Sequence, residues 1–420
     1  MKRKLLYILL DGVGDRPHPD LNNLTPLEAA KTPNLDKLAS MSKSGLVYTV
    51  GKGIAPESDI AVFCMLGYEF EEKGYMGRGV VEAIGAGMDF KDGDLALRAN
   101  FATVDEELNV IDRRAGRDIR DEEAKELIRA INERVKIEGV EISAIHTVAH
   151  RAVVRFRREG GLSANISNTD PAYKRIGGMG VVKVAGKMKV EKALPLDDDP
   201  KSRVSAKIVN EFTRQAFEVL KDHPVNKKRM KEGRLPANIL LMRDASDTLP
   251  KLPTMFEKYG LNFAIIADMP VELGIGRIVG MKAIRSKAID DYRDKVDIVK
   301  RALEDYDAVY VHIKGPDEPG HDGKAILKKE VIERIDKEFF KPLISEVWSE
   351  KILVVVSSDH ATPCALKAHS DDPVPVIYSA SWIKSDGTSR FTEREAERGS
   401  IGTIRGIDVL KQAIEFMKAE

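Results

Sequence analysis

The sequence predicts an α/β fold in which a central, mostly parallel sheet is flanked by helices. Short apolar runs typical of buried strands recur along the chain, helical patterns lie between several of them, and chemically useful polar residues directly follow some of the strands. A chain of 420 residues is also too long for one ordinary core, so we expect more than one domain.

The individual elements follow the hydrophobic pattern. Apolar runs rich in Val, Ile and Leu predict strands at Leu5–Leu10, Thr147–Phe156, Asn238–Met242, Phe263–Ala267, Ala308–Ile313 and Ile352–Val356. Apolar residues at helical spacing predict helices at Glu122–Val135, Val204–Leu220, Ile289–Tyr306 and Lys328–Ser349. Strands that alternate with helices favour a parallel sheet.

The domain organisation is predicted from the position of the polar strand ends. They lie near both ends of the chain, and the residues between them have strands and helices of their own. We therefore expect residues 1–91 and 247–420 to form one discontinuous core and residues 92–246 to form a smaller inserted α/β domain. Two domains in tandem are the alternative.

Composition restricts the class of function. Lys plus Arg and Asp plus Glu both number 67, so the chain lacks the basic surplus that a general nucleic-acid binder needs. Apolar runs are too short for a membrane span, and the one near the N terminus fits a first strand better than a signal peptide. Two isolated cysteines fit a reducing cytoplasm. We expect a cytoplasmic protein with a small-molecule partner, and the high content of charged residues is typical of thermophiles.

Three predicted strands are followed by residues that can bind metal ions. Ligands gather at the carboxyl ends of strands in open α/β sheets, so these side chains should lie close together. They are Asp11, Asp317, His321, Asp359, His360 and His369. Any one of them could instead belong to a turn or a salt bridge. Together they could hold two divalent cations, an arrangement suited to phosphoryl transfer.

Ser58 is a candidate nucleophile for such a transfer. It precedes the helical pattern that starts at Asp59. A serine in this position often only caps the helix. The same geometry would also let the backbone N–H groups and the helix dipole hold a phosphate on Ser58. The residues alone leave both interpretations open.

Several segments resemble a known family. The segments "ILLDGVGD", "APESDIAVF", "GPDEPGHDG" and "SSDHATPCALKAHSDDPVP" resemble the alkaline phosphatase superfamily and, within it, the archaeal type of 2,3-bisphosphoglycerate-independent phosphoglycerate mutase. The segments "GIGRIVGMKAI" and "ERGSIGTIRGIDVL" are similar to that branch as well. The resemblance implies an alkaline-phosphatase-like core. It also implies an isomerase of glycolysis and gluconeogenesis that interconverts 3-phosphoglycerate and 2-phosphoglycerate through a phosphoserine, without 2,3-bisphosphoglycerate.

The resemblance also implies roles for individual residues. Ser58 matches the serine that accepts the phosphoryl group. One divalent cation would be bound by Asp11, Ser58, Asp359 and His360, and the other by Asp317, His321 and His369. Manganese is expected first, with zinc, cobalt or magnesium as alternatives. The bacterial and plant enzymes have Asn-Ser-Glu-Val-Gly-His around the serine. This chain has Glu57-Ser58-Asp59-Ile60, so only Ser58 itself is carried over.

Phosphoglycerate carries a carboxylate and a phosphate, which guanidinium groups bind well. The candidates stand beside glycines, on apolar strands or near the junction with the insert: Arg113, Arg117, His150, Arg151, Arg243 and Lys282. For any single arginine, a solvated surface charge is the common alternative. We expect the substrate between the core and a closing insert that excludes water. A metal-dependent phosphatase or phosphopentomutase is the alternative function, a non-catalytic binding protein is a third, and the oligomeric state stays open.

Overall fold

The computed structural model describes residues 3–69, 77–176, 179–182 and 188–419. The chain divides into two compact units. The first unit comprises Met1–Phe70, Pro253–Asp268 and Ile275–Glu420, and the second comprises Glu71–Leu252 and Met269–Gly274. The boundaries expected from the sequence, 1–91 with 247–420 against 92–246, stay a prediction.

Strands and helices are numbered here in chain order. The strands are β1 (Lys4–Leu10), β2 (Ser42–Tyr48), β3 (Leu95–Val104), β4 (Val110–Asp112), β5 (Val140–His146), β6 (Arg151–Arg158), β7 (Tyr173–Ile176), β8 (Met179–Val182), β9 (Ile239–Ser246), β10 (Phe263–Ile266), β11 (Lys282–Ile284), β12 (Ala308–Ile313), β13 (Ile352–Ser358), β14 (Val374–Ser379) and β15 (Gly402–Arg405).

The α-helices are α1 (Pro26–Ala29), α2 (Pro33–Ser40), α3 (Ser58–Met65), α4 (Arg78–Gly85), α5 (Asp121–Arg134), α6 (Pro200–Lys221), α7 (Pro224–Lys231), α8 (Met255–Tyr259), α9 (Pro270–Ile278), α10 (Tyr292–Asp305), α11 (Asp317–Asp322), α12 (Ala325–Ile335), α13 (Lys341–Glu346), α14 (Glu393–Glu397) and α15 (Gly406–Lys418). Within the described ranges, no helix is long and apolar enough to cross a membrane.

The first unit contains the mostly parallel sheet that the sequence predicts. Its strand order is β11-β10-β12-β1-β13-β14-β2-β15, and only the β13–β14 and β14–β2 pairs are antiparallel. Leu6, Ile8 and Leu10 of β1 pack in an apolar core with α2, α10, α12 and α13. On the other face, Tyr7 donates a hydrogen bond to the carbonyl of Met65 at the end of α3, at 3.0 Å. Because both faces are covered, the strand is apolar throughout.

The second unit is built on an antiparallel sheet. Its strand order is β4-β3-β6-β5, and β9 also pairs with β3, antiparallel to it. Helices α5 and α6 cover one face, where Phe156 of β6 meets Phe212 of α6 in an edge-to-face contact at 5.2 Å. The strands β7 and β8 form a separate hairpin.

The predicted α/β class is confirmed, and two elements differ in a way that has a structural cause. The predicted strand Thr147–Phe156 begins only at Arg151, because Ala149 has a positive φ of 52° and ends the preceding extended segment. The predicted helix Lys328–Ser349 is divided into α12, a π-helical turn at Asp336–Phe340, and α13. Asp336 in that turn accepts hydrogen bonds from the backbone N–H groups of Asn34 and Leu35.

Candidate active site

Three neighbouring parallel strands present the candidate ligands at one edge of the sheet. β1 lies between β12 and β13, and Leu10 is in register with Ile313 and Ser358, so the three strands end at the same level. Asp11 directly follows β1 and Asp359 directly follows β13. Asp317 begins α11 after β12. The short distance between residues so far apart in sequence is therefore a consequence of strand order.

The acidic and imidazole groups form two clusters. In the inner group, Asp11, His312 and Asp359 are buried and each places a ligand atom within 4.8 Å of the others. In the outer group, Asp317, His360 and His369 do the same. His360 borders both, since its Nε2 atom lies 3.5 Å from Asp11 Oδ1 and 3.3 Å from Asp359 Oδ2.

The remaining two predicted site residues lie beside these groups. Nε2 of His321 is 3.2 Å from Nε2 of His369 and 3.4 Å from Oδ1 of Asp317. Ser58 is the first residue of α3, and its Oγ atom is 3.1 Å from Nε2 of His360. The structure thus brings Ser58 and all six predicted Asp and His side chains together.

Hydrogen bonds to the second ring nitrogen orient three of the imidazoles in the two groups. His369 Nδ1 lies 2.8 Å from the carbonyl of Pro56, just before the serine helix. His360 Nδ1 lies 3.0 Å from Thr362 Oγ1, and His312 Nδ1 lies 2.8 Å from the Tyr310 hydroxyl. Such contacts fix the ring and turn Nε2 toward the site, as is usual for histidines that bind metals.

Gly12 shows how tightly the loop after β1 is packed. Its φ is +60°, and its N–H donates to Asp359 Oδ1 at 3.0 Å. A Cβ atom at this position would lie 2.6 Å from Thr362 Oγ1 and 2.7 Å from Asp317 Oδ1. Glycine is therefore required here for both its conformation and its size.

A buried lysine joins the loops that follow β1 and β13. The ammonium group of Lys328, on α12, lies 2.9 Å from Asp15 Oδ2 and donates to the carbonyls of Gly14 at 3.1 Å and Thr362 at 2.9 Å. Asp15 also accepts a hydrogen bond from the backbone N–H of Cys364 at 3.0 Å. Lys328 thus holds the Asp11 loop against the Asp359 loop.

The charges of the inner group are strongly coupled. Burial and the neighbouring Asp11 carboxylate raise the pKa of Asp359 to about 8. Burial also opposes ionisation of Asp11, but Lys314 and His312 outweigh burial and hold the pKa of Asp11 well below its usual value. Lys314 Nζ lies 3.1 Å from Asp11 Oδ2. One of the two carboxyls is therefore ionised and the other protonated at neutral pH.

In the outer group, His369 is protonated and Asp317 is ionised at neutral pH. Burial disfavours the charged form of His369, yet its contact with Asp317 outweighs burial and raises the pKa of His369 to about 9. Burial and the nearby His369 lower the pKa of His360 to about 3, so its imidazole is neutral. Burial and Asp11 oppose ionisation of Asp317, but His369, His360 and His321 lower its pKa to about 2.

These residues fit divalent cations. Among the described residues, Asp11 Oδ1 and Asp359 Oδ2 are buried and accept no hydrogen bond, although a buried carboxylate oxygen normally has a partner. The mixture of carboxylate oxygens and imidazole nitrogens suits manganese, zinc or cobalt. Without a cation, repulsion between two carboxylates this close is avoided only because Asp359 keeps its proton.

Metal binding should therefore depend on pH with a definite sign. A cation binds only the deprotonated carboxylate and the neutral imidazole, so it must displace the protons of Asp359 and His369. Below pH about 8 at the inner group and about 9 at the outer group, affinity should rise roughly tenfold per pH unit. Calorimetric titration with Mn²⁺ in two buffers of different ionisation enthalpy measures the proton release directly. Equal Mn²⁺ affinity at about pH 6.5 and about pH 8.5, one below and one above the Asp359 pKa of about 8, would contradict this assignment.

The second unit contains a cluster of cationic side chains. Arg113 and Arg243 share the buried carboxylate of Asp170, at 2.8 Å and 3.0 Å, and both lie over the ring of Tyr173. Arg243 Nε also lies 3.4 Å from Asp244 Oδ2, so two carboxylates hold these guanidinium groups in place.

Three more cations lie near His150. Burial together with Arg151 and Arg114 lowers the pKa of His150 to about 3, and Arg243 and Arg117 contribute in the same direction. Among the described residues, Arg114, Arg117 and Arg151 form no side-chain ion pair. A set of uncompensated cations around a neutral imidazole is typical of an anion-binding site.

The backbone around this cationic cluster is strained. Positive φ angles occur at Ala115 (46°), Arg117 (58°), Ala149 (52°) and Asp244 (57°), which flank the candidate arginines in three separate segments. Such conformations are costly for residues other than glycine and concentrate at functional sites. The strain supports a binding role for this surface.

Lys282 differs from the other predicted substrate residues. It is exposed at the start of β11, and it is in register through Ala264 and Val309 with Leu6, which lies near the start of β1. Asp11 follows the opposite end of β1. Lys282 thus lies at the amino end of its strand, and its proposed role stays a prediction.

Sequence reasoning missed several members of both sites. His312 and Lys314 lie within or just after a strand that reads as ordinary core. Arg98 of β3 bonds to Asp244 at 2.9 Å and to Glu82 of α4 at 2.8 Å. A signal existed only for Arg114, which stands next to Arg113.

Comparison with known proteins identifies the family. A family model described as 2,3-bisphosphoglycerate-independent phosphoglycerate mutase matches residues 39–226. A curated relative of that name from Aeropyrum pernix is 44% identical over 415 residues, covering 96% of each chain. Another from Methanopyrus kandleri is 41% identical and covers 98% of this chain and 95% of its own. The chain belongs to this family. Phosphoglycerate mutases are isomerases, so the predicted enzyme class is confirmed.

Solved structures agree with membership of the phosphoglycerate mutase family. A cofactor-independent phosphoglycerate mutase from Thermoplasma acidophilum is 32% identical, covers 99% of this chain and all of its own, and has a TM-score of 0.66. A protein from Pyrococcus horikoshii is also 32% identical, covers 100% of this chain and 99% of its own, and has a TM-score of 0.78.

Proposed function

We propose that the protein interconverts 3-phosphoglycerate and 2-phosphoglycerate through a phosphoserine at Ser58 with two divalent cations. One cation would be bound by Asp11, Ser58, Asp359 and His360, and the other by Asp317, His321 and His369. The observation that carries the proposal is the position of Ser58 at the start of α3, beside two clusters of metal-ligating side chains in a chain of this family. We further propose manganese as the bound ion, cytoplasmic location and a role in glycolysis and gluconeogenesis.

The local structure around Ser58 favours a phosphorylated intermediate. The first N–H groups of α3 have no partner within the helix, and the helix dipole favours negative charge at this end. Nε2 of His360 lies 3.1 Å from Ser58 Oγ, so a cation bound by that nitrogen would lie beside the serine hydroxyl. Divalent cations bound nearby would lower the pKa of the hydroxyl and neutralise charge on the transferred group.

Each half of the reaction exchanges one oxygen for another on phosphorus. In the first, Ser58 Oγ forms a bond to phosphorus while the bond to the substrate O3 breaks, and O3 takes up the proton that Ser58 loses. In the second, O2 forms the bond to phosphorus, Ser58 Oγ leaves, and the proton from the O2 hydroxyl returns to Ser58. His150 stays a candidate carrier for these protons, because a bound anionic substrate would offset the neighbouring arginines that, with burial, lower its pKa to about 3.

The cationic cluster of the second unit is proposed to bind the carboxylate and phosphate of the substrate. Arg114, Arg117 and Arg151 have guanidinium groups available for it, whereas Arg113 and Arg243 are held in place by Asp170. Retention of glycerate after the first transfer separates a mutase from a phosphatase, and firm binding of its carboxylate would provide that retention.

The test uses protein freed of metal, reloaded with Mn²⁺ and given 3-phosphoglycerate without 2,3-bisphosphoglycerate. We expect 2-phosphoglycerate in an enolase-coupled assay, with little free phosphate measured in parallel. Phosphate release without 2-phosphoglycerate would instead indicate a phosphatase. Turnover of a pentose phosphate in place of phosphoglycerate would indicate a phosphopentomutase, and no product with any of the four candidate ions would overturn the substrate assignment.

Replacement of the unpaired arginines should weaken substrate binding. Arg114→Gln and Arg151→Gln each remove a charged donor, whose hydrogen bonds contribute about 1.5–3 kcal/mol, so KM for 3-phosphoglycerate should rise roughly 10-fold to 150-fold. Arg129→Gln is the matched control, because Arg129 is exposed on the same unit and its ion pair, with Glu126, is on its own helix. Steady-state kinetics at saturating Mn²⁺ measure the effect. An unchanged KM in both variants would exclude these two residues from the binding site.

A further inference from the structure

We propose that His312 is a ligand of the inner cation and that its nitrogen makes the inner group prefer transition-metal ions to Mg²⁺. The proposal rests on the proposed function only in requiring that the cluster binds divalent cations, and not on the identity of the substrate. His312 lies in β12, which is next to β1, and β1 in turn is next to β13, the strand that Asp359 follows. His312 is 1% exposed. A buried imidazole at this place faces two carboxyl groups and no solvent.

The distances match those between ligands of a common ion. His312 Nε2 lies 3.9 Å from Asp11 Oδ1 and 3.9 Å from Asp359 Oδ2. Ligand bonds of about 2.1 Å place two donor atoms on one cation roughly 3.0–4.2 Å apart, depending on the angle between the bonds. Both distances to His312 Nε2 fall in this range, and all three groups offer ligand atoms within 4.8 Å of one another.

The remaining contacts of the two carboxylates leave the required atoms available. Lys314 Nζ is close to Asp11 Oδ2, and the N–H of Gly12 donates to Asp359 Oδ1. These contacts take one oxygen of each carboxylate. The opposite oxygens, Asp11 Oδ1 and Asp359 Oδ2, are the buried ones that accept no hydrogen bond among the described residues. Both of them face His312 Nε2.

The ring of His312 is held in the orientation that a ligand needs. Its Nδ1 atom lies 2.8 Å from the hydroxyl of Tyr310, two residues earlier on the same face of β12. A neutral imidazole with its proton on Nδ1 donates that proton to the Tyr310 oxygen and leaves the Nε2 lone pair directed at the carboxylates. Tyr310 is fixed in turn by an edge-to-face contact with Tyr7 at 5.6 Å.

The chemical consequence concerns which ion binds. Without His312, the ion would have two carboxylate oxygens and one imidazole, that of His360, whose Nε2 lies 3.5 Å from Asp11 Oδ1 and 3.3 Å from Asp359 Oδ2. A second imidazole strengthens the preference for manganese, cobalt or zinc over Mg²⁺, which prefers oxygen ligands and resists loss of its water. His312 should therefore contribute selectivity between ions as well as affinity.

The experiment compares His312→Asn with wild-type protein after removal of metal. Titration with Co²⁺ followed by visible absorption reports the ligands of the bound ion, and competition between Mn²⁺ and Mg²⁺ reports selectivity. In His312→Asn we expect Co²⁺ affinity at one of two sites to fall roughly 10-fold to 100-fold. The visible spectrum of that site should change, and the Mn²⁺ to Mg²⁺ affinity ratio should fall.

Two further variants make the result specific. Tyr310→Phe keeps the imidazole and removes only its hydrogen bond, so it should weaken the same site to a smaller extent and serves if His312→Asn does not fold. His321→Asn alters the outer group, since His321 lies against His369 and Asp317, and should leave the spectrum of the inner site unchanged. Unchanged Co²⁺ spectra and ion selectivity in His312→Asn and Tyr310→Phe would overturn the proposal, as would wild-type protein that binds only one cation. Normal cation binding without turnover of 3-phosphoglycerate would contradict the proposed function and leave this inference intact.

Discussion

Ser58→Ala should lower the mutase rate roughly 10⁴-fold to 10⁶-fold, because removal of a covalent nucleophile eliminates the step on which both half-reactions depend. The fold should be unaffected, since the N-cap of α3 is Glu57 and the Ser58 side chain contacts His360 rather than capping the helix. Cation affinity should fall only modestly, because the carboxylates of Asp11, Asp359 and Asp317 remain. The change is therefore expected in kcat far more than in stability.

The intermediate itself provides the decisive measurement for Ser58. Wild-type protein mixed with 3-phosphoglycerate and quenched in acid should gain the mass of one phosphoryl group, located by peptide mapping to the segment that contains Ser58. Ser58→Ala should gain none. Ser40→Ala, which changes an exposed serine at the end of α2, is the matched control and should label and turn over normally. Phosphorylation of Ser58→Ala at another residue would show that Ser58 is not the acceptor.

The sequence predicts that the candidate ligands lie together because most of them follow strands. Asp11 and Asp359 stand directly after apolar runs, and the carboxyl ends of neighbouring parallel strands meet at one edge of a sheet. His312 could not be predicted in this way, because it lies within the apolar segment that forms β12 and not after it. Only the order of the strands shows that it faces the carboxylates of two neighbours.

The cationic cluster is predictable only in part for a related reason. Arg113 and Arg243 stand out beside a glycine-containing turn and after a strand. Arg98, which pairs with Asp244 and Glu82, comes from another strand with no local signal. Its importance arises from antiparallel pairing of β3 with β9, which the sequence pattern does not specify.

The role of Lys328 could not be predicted from the sequence. Its neighbour Lys329 has the same chemistry on the same helix, but Lys329 is partly exposed and pairs with Glu333 at 3.2 Å. Lys328 is fully buried and bonds Asp15 and two backbone carbonyls. Helical periodicity does not show which of two adjacent lysines faces a pair of loops.

Lys328→Met should therefore be strongly destabilising. It leaves the Asp15 carboxylate buried without its cation and two carbonyls without a donor, a change that typically costs about 3–5 kcal/mol. Lys329→Met, the matched control, removes a partly exposed ion pair and should cost at most about 1 kcal/mol. Urea unfolding of metal-free protein, followed by tryptophan fluorescence, measures the difference. Both tryptophans, Trp348 and Trp382, lie in the first unit with Lys328, so the signal reports on that unit.

A double variant separates loss of charge pairing from loss of packing. Asp15→Leu combined with Lys328→Met removes both charges, so it should be more stable than Lys328→Met alone, because an unpaired buried charge costs more than an absent pair. Cation affinity should nevertheless stay below that of wild-type protein, since no group then joins the loops that carry Asp11 and Asp359. Recovery of stability without recovery of affinity would assign Lys328 to positioning of the metal ligands. Equal urea midpoints for Lys328→Met and Lys329→Met would show instead that the buried contacts of Lys328 contribute little, and the two loops would have to be held by their strands alone.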